Sequence, residues 1–274
     1  MIKLLRILIA ISLLVVMSYL GLKTYQYSQN YVLKTSKIAE LSDAHGLASE
    51  KIDALTSIIS LGLVKNKSKI ELKNLREEQK ASRAMAQEYL YYFMGTLLFM
   101  LLFIFTCTIR GGAMLLSLTT FISLIYGLVN PILMVTIHKK VDYLGDVILS
   151  FESKGIIGSI TKLYENGELA VAFTILLFSI LLPAIKSLML TFMLIFYNNS
   201  WNHKLVEFFK FIGKWSMIDV FVVATFLVYF TSNTGGISHA EIQVGLYFFL
   251  TYVILSMITA IQTHKVLEAK KMVK

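Results

Sequence analysis

The chain has 274 residues, 56% of them apolar and only 16% charged; soluble domains carry about 25% charged residues, so this composition suits lipid as solvent and excludes an ordinary soluble enzyme. The net charge of +9 does not make nucleic acid a partner, because the cations sit at the edges of apolar runs, where anionic headgroups hold them. A lone Cys107 excludes an intrachain disulfide and a cysteine zinc site, and the five histidines form no HxxxH or HExxH pair, so no metal or cofactor is expected.

A membrane span takes about 20 apolar residues at 1.5 Å rise each. Six stretches are long enough: 4–22, 91–108, 113–137, 169–197, 215–231 and 244–261. The first follows Lys3 and Arg6, has a long core and lacks a small-x-small cleavage site, so it reads as an uncleaved anchor. With both termini cytoplasmic, the inner segments carry ten Lys and Arg, and the short outer ones carry four, Lys139, Lys140, Lys154 and Lys162. That bias favours this orientation. Segment 23–89, with eleven Lys and Arg against eight Asp and Glu, would then lie outside. Loops beyond about 60 residues cross largely regardless of charge.

Segment 23–89 has no proline, and only Gly46 and Gly62 interrupt it. Ile52, Leu55, Ile58 and Ile59, then Ile70, Leu72 and Leu75, recur at helical spacing. This predicts a helical hairpin that continues the first two membrane helices outward. It reads either as a solvated spacer or as a sensory or docking module. Tyr25, Tyr27 and Tyr31 cluster where interfacial tyrosines belong. In 138–168, Val147, Leu149 and Phe151 alternate as in a strand, and Ile157, Ile160 and Leu163 have helical spacing. A small outer cap of one or two strands and a helix follows. Segment 202–213 mixes Phe208, Phe209, Phe211 and Ile212 with Lys204 and Lys210, the pattern of an interfacial amphipathic helix. The expected fold class is therefore an all-α polytopic membrane protein of about six transmembrane helices, with a helical periplasmic hairpin and a small β-containing periplasmic cap.

Two ionisable residues fall inside apolar spans, Lys186 in the fourth and Asp219 in the fifth. A charge at helix centre costs about 2.5–3.5 kcal/mol on insertion scales, so each needs a partner. Lys186 lies about 15 Å from the inner end of its span and Asp219 about 7 Å into its own, depths that permit an ion pair. Ser179, Pro183 and Lys186 share one helix face at i, i+4 and i+7, and Ser216, Asp219 and Val223 share another. Pro183 frees a backbone carbonyl. Ser256 and Thr259 in the last span can close a polar chamber around these groups. The pair reads as a structural device that fixes helix packing, or as part of a substrate or proton path. Ser179 and Lys186 are about 10 Å apart in rise, too far for one to activate the other, so no catalytic residues are expected.

Lys214-Trp-Ser-Met-Ile-Asp-Val-Phe-Val-Val-Ala224 resembles the Trp-Ser-Met-x-Asp-Val-Phe signature of the paraquat-inducible protein A family. Leu177-Phe-Ser-Ile-Leu-Leu-Pro-Ala-Ile-Lys186 is similar to that family's Ser-x-x-x-Pro-x-x-Lys run, and Glu152-Ser153 with Gly167-Glu-Leu-Ala170 gives a looser match. The resemblance covers about 115–265, one four-span module, with Trp215, Ser216 and Pro183 as motif residues. It implies a multi-pass inner-membrane protein of a Gram-negative envelope, handling membrane lipids with an MCE-domain periplasmic partner that forms a tunnel between the two membranes. It also makes Ser179, Lys186 and Asp219 the expected working residues, with Thr259 a fourth. Well-known members carry zinc ribbons built from CxxC pairs and two membrane modules; this chain has one cysteine and one module. The expected division is 1–110, a transmembrane pair bearing the hairpin 23–89, and 111–274, the four-helix module. The expected function is a component of an envelope lipid-transport system. The alternative is a non-transporting receptor or scaffold whose 23–89 hairpin senses or tethers a partner.

Overall fold

The computed structural model describes residues 2–52, 63–141, 145–195 and 238–272. The expected fifth span, with Trp215, Ser216 and Asp219, and the amphipathic segment 202–213 lie outside the described residues. Among the described residues, five helices are long and apolar enough to cross a membrane. They are the membrane parts of α1 (Ile2–Ile52), α2 (Leu63–Ile104), α3 (Ile109–Val129), α5 (Leu169–Ile195) and α6 (Val244–Met272). Between α3 and α5 come β1 (Leu133–Val141), β2 (Gly145–Lys154) and α4 (Ile156–Glu165), and β3 (Ser238–Ile242) precedes α6.

The first two helices pack along one another as the arms of the expected hairpin would, and 53–62, the segment between them, lies outside the described residues. At 1.5 Å per residue α1 is about 75 Å long, while the hydrocarbon core of a bilayer is about 30 Å, so roughly half of α1 projects beyond it. Buried positions of α1 recur as Met17, Gly21, Thr24, Ser28, Tyr31, Thr35 and Ile38. Those of α2 include Ser82, Ala86, Leu90, Phe93, Leu97, Met100 and Ile104. Alternating steps of three and four are those of a coiled coil. The projecting half of this seam is built from small and polar residues, which lets the backbones approach closely. The hydroxyls of Thr24 and Thr35 donate to Leu20 O and Tyr31 O, at 2.9 and 2.7 Å, so their burial leaves no donor stranded. Across the seam Gln79 Nε2 donates to Thr35 Oγ1 at 2.6 Å, Tyr27 stacks on Tyr89 with centroids 5.4 Å apart, and Lys34 pairs with Glu78 at 3.3 Å.

The third span is shorter than its apolarity suggested. The stretch 113–137 was expected to be one helix, but α3 ends at Val129 and 133–141 is a strand. Asn130 is the reason: it precedes Pro131, whose ring disfavours helical backbone at the residue before it. Its φ of −77° and ψ of 149° are extended, and both its backbone N–H and Nδ2 donate to Tyr126 O. Beyond the proline, Val135, Thr136 and Ile137 are β-branched and favour a strand.

The cap holds one more strand than the sequence suggested. Its order is β2-β1-β3, antiparallel throughout, with Leu133 opposite both Lys154 and Ile242. Segment 238–242, expected as loop, is recruited as β3 and runs through Gln243 directly into α6. Gln243 N–H donates to Ile132 O and Gly245 N–H to Pro131 O, both at 2.9 Å. α4 ends at Gly167, whose φ of +80° closes the turn while Glu168 N–H donates back to Leu163 O at 2.9 Å.

Two close approaches lock the helices together. A Cβ on Gly127 would lie 2.9 Å from Phe249 N, so α3 and α6 cross where only glycine fits. A Cβ on Gly21 would collide with the Tyr126 ring, whose hydroxyl donates to Ser18 O at 2.6 Å and ties α1 to α3. At the far end of the bundle Arg110 donates through Nε and Nη2 to Leu194 O and through Nη2 to Ile195 O, at 3.0–3.3 Å. A cation there also opposes the negative end of the α5 dipole. Arg110→Ala is expected to lower stability by about 1 kcal/mol, read as a fall in the thermal midpoint of the detergent-purified protein. Arg110→Lys, which loses the fork, should recover only part of it.

Candidate functional site

α5 is where the sequence places its first anomaly, and its backbone is anomalous too. Residues Leu176–Leu181 form a π turn, closed by Leu182 N–H donating to Leu177 O. Pro183 follows. A proline lacks the N–H its helix needs and its ring crowds the carbonyl four residues before; a widened turn accommodates both. Ser179, Pro183 and Lys186 are all buried, as are Ser187 and Leu190, so these residues of α5 face the bundle and not lipid.

Lys186 is 3% exposed. Its Nζ donates to Ser256 Oγ on α6 at 3.1 Å, and Ser256 Oγ–H donates to Val253 O at 3.1 Å. The ammonium is thus coupled through a hydroxyl to a backbone carbonyl, a charge-assisted chain in a low-dielectric setting. Tyr252, fully buried, directs its hydroxyl to Pro183 O at 3.5 Å. Thr259, expected in the same cluster, bonds across to Thr120 of α3 at 3.0 Å, while Ser117 of α3 meets Thr191 of α5 at 2.8 Å. The hydroxyls of Ser123, Ser187 and Thr263 are buried without a hydrogen-bond partner among the described residues. The result is a seam of hydroxyls running between α3, α5 and α6, with a lysine within it.

The sequence reading named Ser179, Pro183, Lys186, Ser256 and Thr259 but passed over the α3 wall. Ser117, Thr120, Ser123 and Gly127 stand at steps of three and four in an otherwise apolar stretch, which is the small-residue pattern of a tight membrane helix contact. That spacing was the available signal. Among the described residues, no group of three His, Cys, Asp or Glu side chains is placed to hold a metal.

Residues 111–267, more than half of the chain, match the family model for paraquat-inducible protein A, from the first turn of α3 into α6. A Haemophilus influenzae protein named "Probable intermembrane transport protein" is 26% identical over 113 residues, 39% of this chain and 27% of that protein. Escherichia coli K12 "Intermembrane transport protein PqiA" is 28% identical over 127 residues, 42% of this chain and 28% of that protein. The chain thus spans little more than a quarter of the length of these relatives. No solved structure matches. With apolar helices able to cross a membrane several times and a family match over its bundle, the chain is a multi-pass membrane protein of the paraquat-inducible protein A family.

Proposed function

We propose that the chain is an inner-membrane component of an envelope lipid-transport system, acting with an MCE-domain periplasmic partner and oriented with both termini in the cytoplasm. The observation that carries this reading is Lys186, buried among membrane helices and bonded to Ser256 within a hydroxyl-lined seam. Intramembrane cations are retained where a substrate or ion path needs them. The relatives' naming as intermembrane transport proteins supports the same reading. In it, Asp219 is the acidic partner of Lys186, with Ser179 and Thr259 lining the chamber. Residues 111–274 act as the transport module, and the 23–89 hairpin, outside the membrane, docks the partner. In this reading the work of the seam is to admit polar headgroups or balance charge.

The test is envelope barrier function. Lys186→Ala, expressed at normal abundance, is expected to sensitise cells to large antibiotics that an intact outer membrane excludes. An intact barrier in Lys186→Ala and in Asp219→Ala, each at normal abundance, counts against the proposal.

A second reading has its own observation. Glu241 of β3 accepts from Tyr31 OH at 3.2 Å and pairs with Arg83 at 3.1 Å, so the hairpin is clasped to the cap. A receptor or scaffold needs such a clasp. In that case hairpin substitutions, and not Lys186→Ala, should abolish function in the same assay.

A further inference from the structure

Where the hairpin meets the family module, α2 and the start of α6 leave a pocket of about 120 Å³. Its depth in the bilayer follows from the chain: Leu90 and Tyr91 begin the apolar half of α2, and Val244 begins α6. The pocket therefore sits at the boundary of headgroups and hydrocarbon. Its upper wall is polar, with Ser28, Tyr31, Arg83 and Gln243; its lower wall is Leu90, Met94 and Val244. The exposed rings of Tyr91 and Tyr247 flank it, placed as interfacial anchors are.

Two residues of its lining stand out, because each carries a buried polar atom. Ser28 Oγ, in a residue 1% exposed, and Gln243 Nε2, in a residue 6% exposed, are buried and have no hydrogen-bond partner among the described residues. The two residues come from different parts of the chain, one from the hairpin and one from the junction of β3 and α6, yet both line the same small space. A stranded buried donor costs about 1–3 kcal/mol, which is a reason to expect a partner. An amide N–H₂ can only donate, and a hydroxyl can donate too, so the partner must bring acceptors. Arg83 beside them is 42% exposed in its side chain and bonded to Glu241 through Nη1, and its guanidinium has further donors.

We infer that this pocket binds the phosphate-ester head of a membrane phospholipid, with one acyl chain descending along Leu90 and Met94 into the hydrocarbon. Phosphate and ester oxygens supply the acceptors; the apolar lower wall and the interfacial depth select a lipid over a free anion. This is a site distinct from the Lys186 seam. It uses the hairpin, which lies outside the family match, and it does not require the transport reading to hold.

The test uses the full chain purified in mild detergent. Native mass spectrometry should find phospholipid retained on the wild type, and retention should fall about tenfold in Ser28→Leu, which fills the pocket, and in Gln243→Leu, which removes the donor. Retention is read on the purified chain and transport on the cell barrier, so that failure of transport and failure of this site are distinguishable; Gly158→Ala, in α4 and not part of the pocket lining, should retain lipid as the wild type does. Added phosphatidylglycerol should raise the thermal midpoint of the delipidated wild type; dioleoylglycerol, with chains but no phosphate, and inorganic phosphate, with no chains, should not. A photo-crosslinker in place of Tyr91 in the otherwise unaltered chain gives an independent reading if a pocket variant fails to fold: a phospholipid adduct is expected. No adduct, equal retention in folded Ser28→Leu, or stabilisation by inorganic phosphate alone would each overturn the inference, leaving water or a free anion as the occupant.

Discussion

Lys186→Met is expected to lower stability by about 3–5 kcal/mol, because methionine fills the same volume and leaves the carboxylate proposed opposite it buried and alone. Adding Asp219→Asn should return most of that loss, since apolar or neutral pairs of similar volume often replace buried ion pairs at little cost. Function should not return with stability. If the charges serve a headgroup or ion path, the stable double variant still leaves the envelope leaky. Unfolding of the purified variants and antibiotic sensitivity of the cells that make them separate the two effects. A double variant that restores both would make the pair a packing device and nothing more. A single variant as stable as the wild type would show that the pairing with Asp219 does not exist. Ser256→Ala probes the same ammonium from its observed side: it removes the acceptor 3.1 Å from Nζ and should cost about 1.5–3 kcal/mol.

Gly245→Ala should be nearly as damaging as any core truncation, although it adds a single methyl group. The added Cβ would lie 2.6 Å from Asn130 O and 2.6 Å from Pro131 O. Both obstacles are backbone, pinned by Pro131 and by the bond from Gly245 N–H to Pro131 O, so neither can swing aside. Overpacking costs about 1–3 kcal/mol where side chains can adjust; here the loss should reach the upper end, because moving the backbone also strains the 2.9 Å bond. Gly158→Ala is the control. Nothing lies within 4 Å of its added Cβ in α4, so the higher helix propensity of alanine should stabilise by up to about 1 kcal/mol. Thermal midpoints of opposite sign are the expected result, and a neutral Gly245→Ala would refute the tight crossing.

The five membrane helices among the described residues were legible in the sequence because their signal is crude and strong: a run of apolar residues of bilayer length has few other uses. Lys186 was legible for the converse reason, as an ion where lipid should be. The end of α3 was misread because apolarity continued past Pro131, and apolarity does not distinguish a lipid-facing helix from a strand packed into a cap. The proline was visible but was outweighed by the six residues after it, five of them apolar. β3 was missed because a strand completing an existing sheet needs little propensity of its own: Ser238, His239 and Glu241 are not strand formers, and the ladder with β1 recruits them. The coiled-coil seam of the hairpin hid for a similar reason. Its positions are filled by Gly21, Thr24, Ser28 and Thr35 where a pattern search looks for Leu and Ile. The hydroxyl seam needed knowledge of which helices touch, and in a chain of mostly apolar spans that information is not local.

The junction of β3 and α6 has a mechanical consequence. A single residue, Gln243, separates strand from helix, and it is pinned by its bond to Ile132 O. From Ser256, which holds Lys186, the α6 helix runs about 20 Å back to that junction, and Glu241 beyond it grips Tyr31 and Arg83 of the hairpin. No loop lies along this route to absorb a displacement. α6 and β3 together form a push-rod, one end seated at the buried lysine and the other clamped to the stalk.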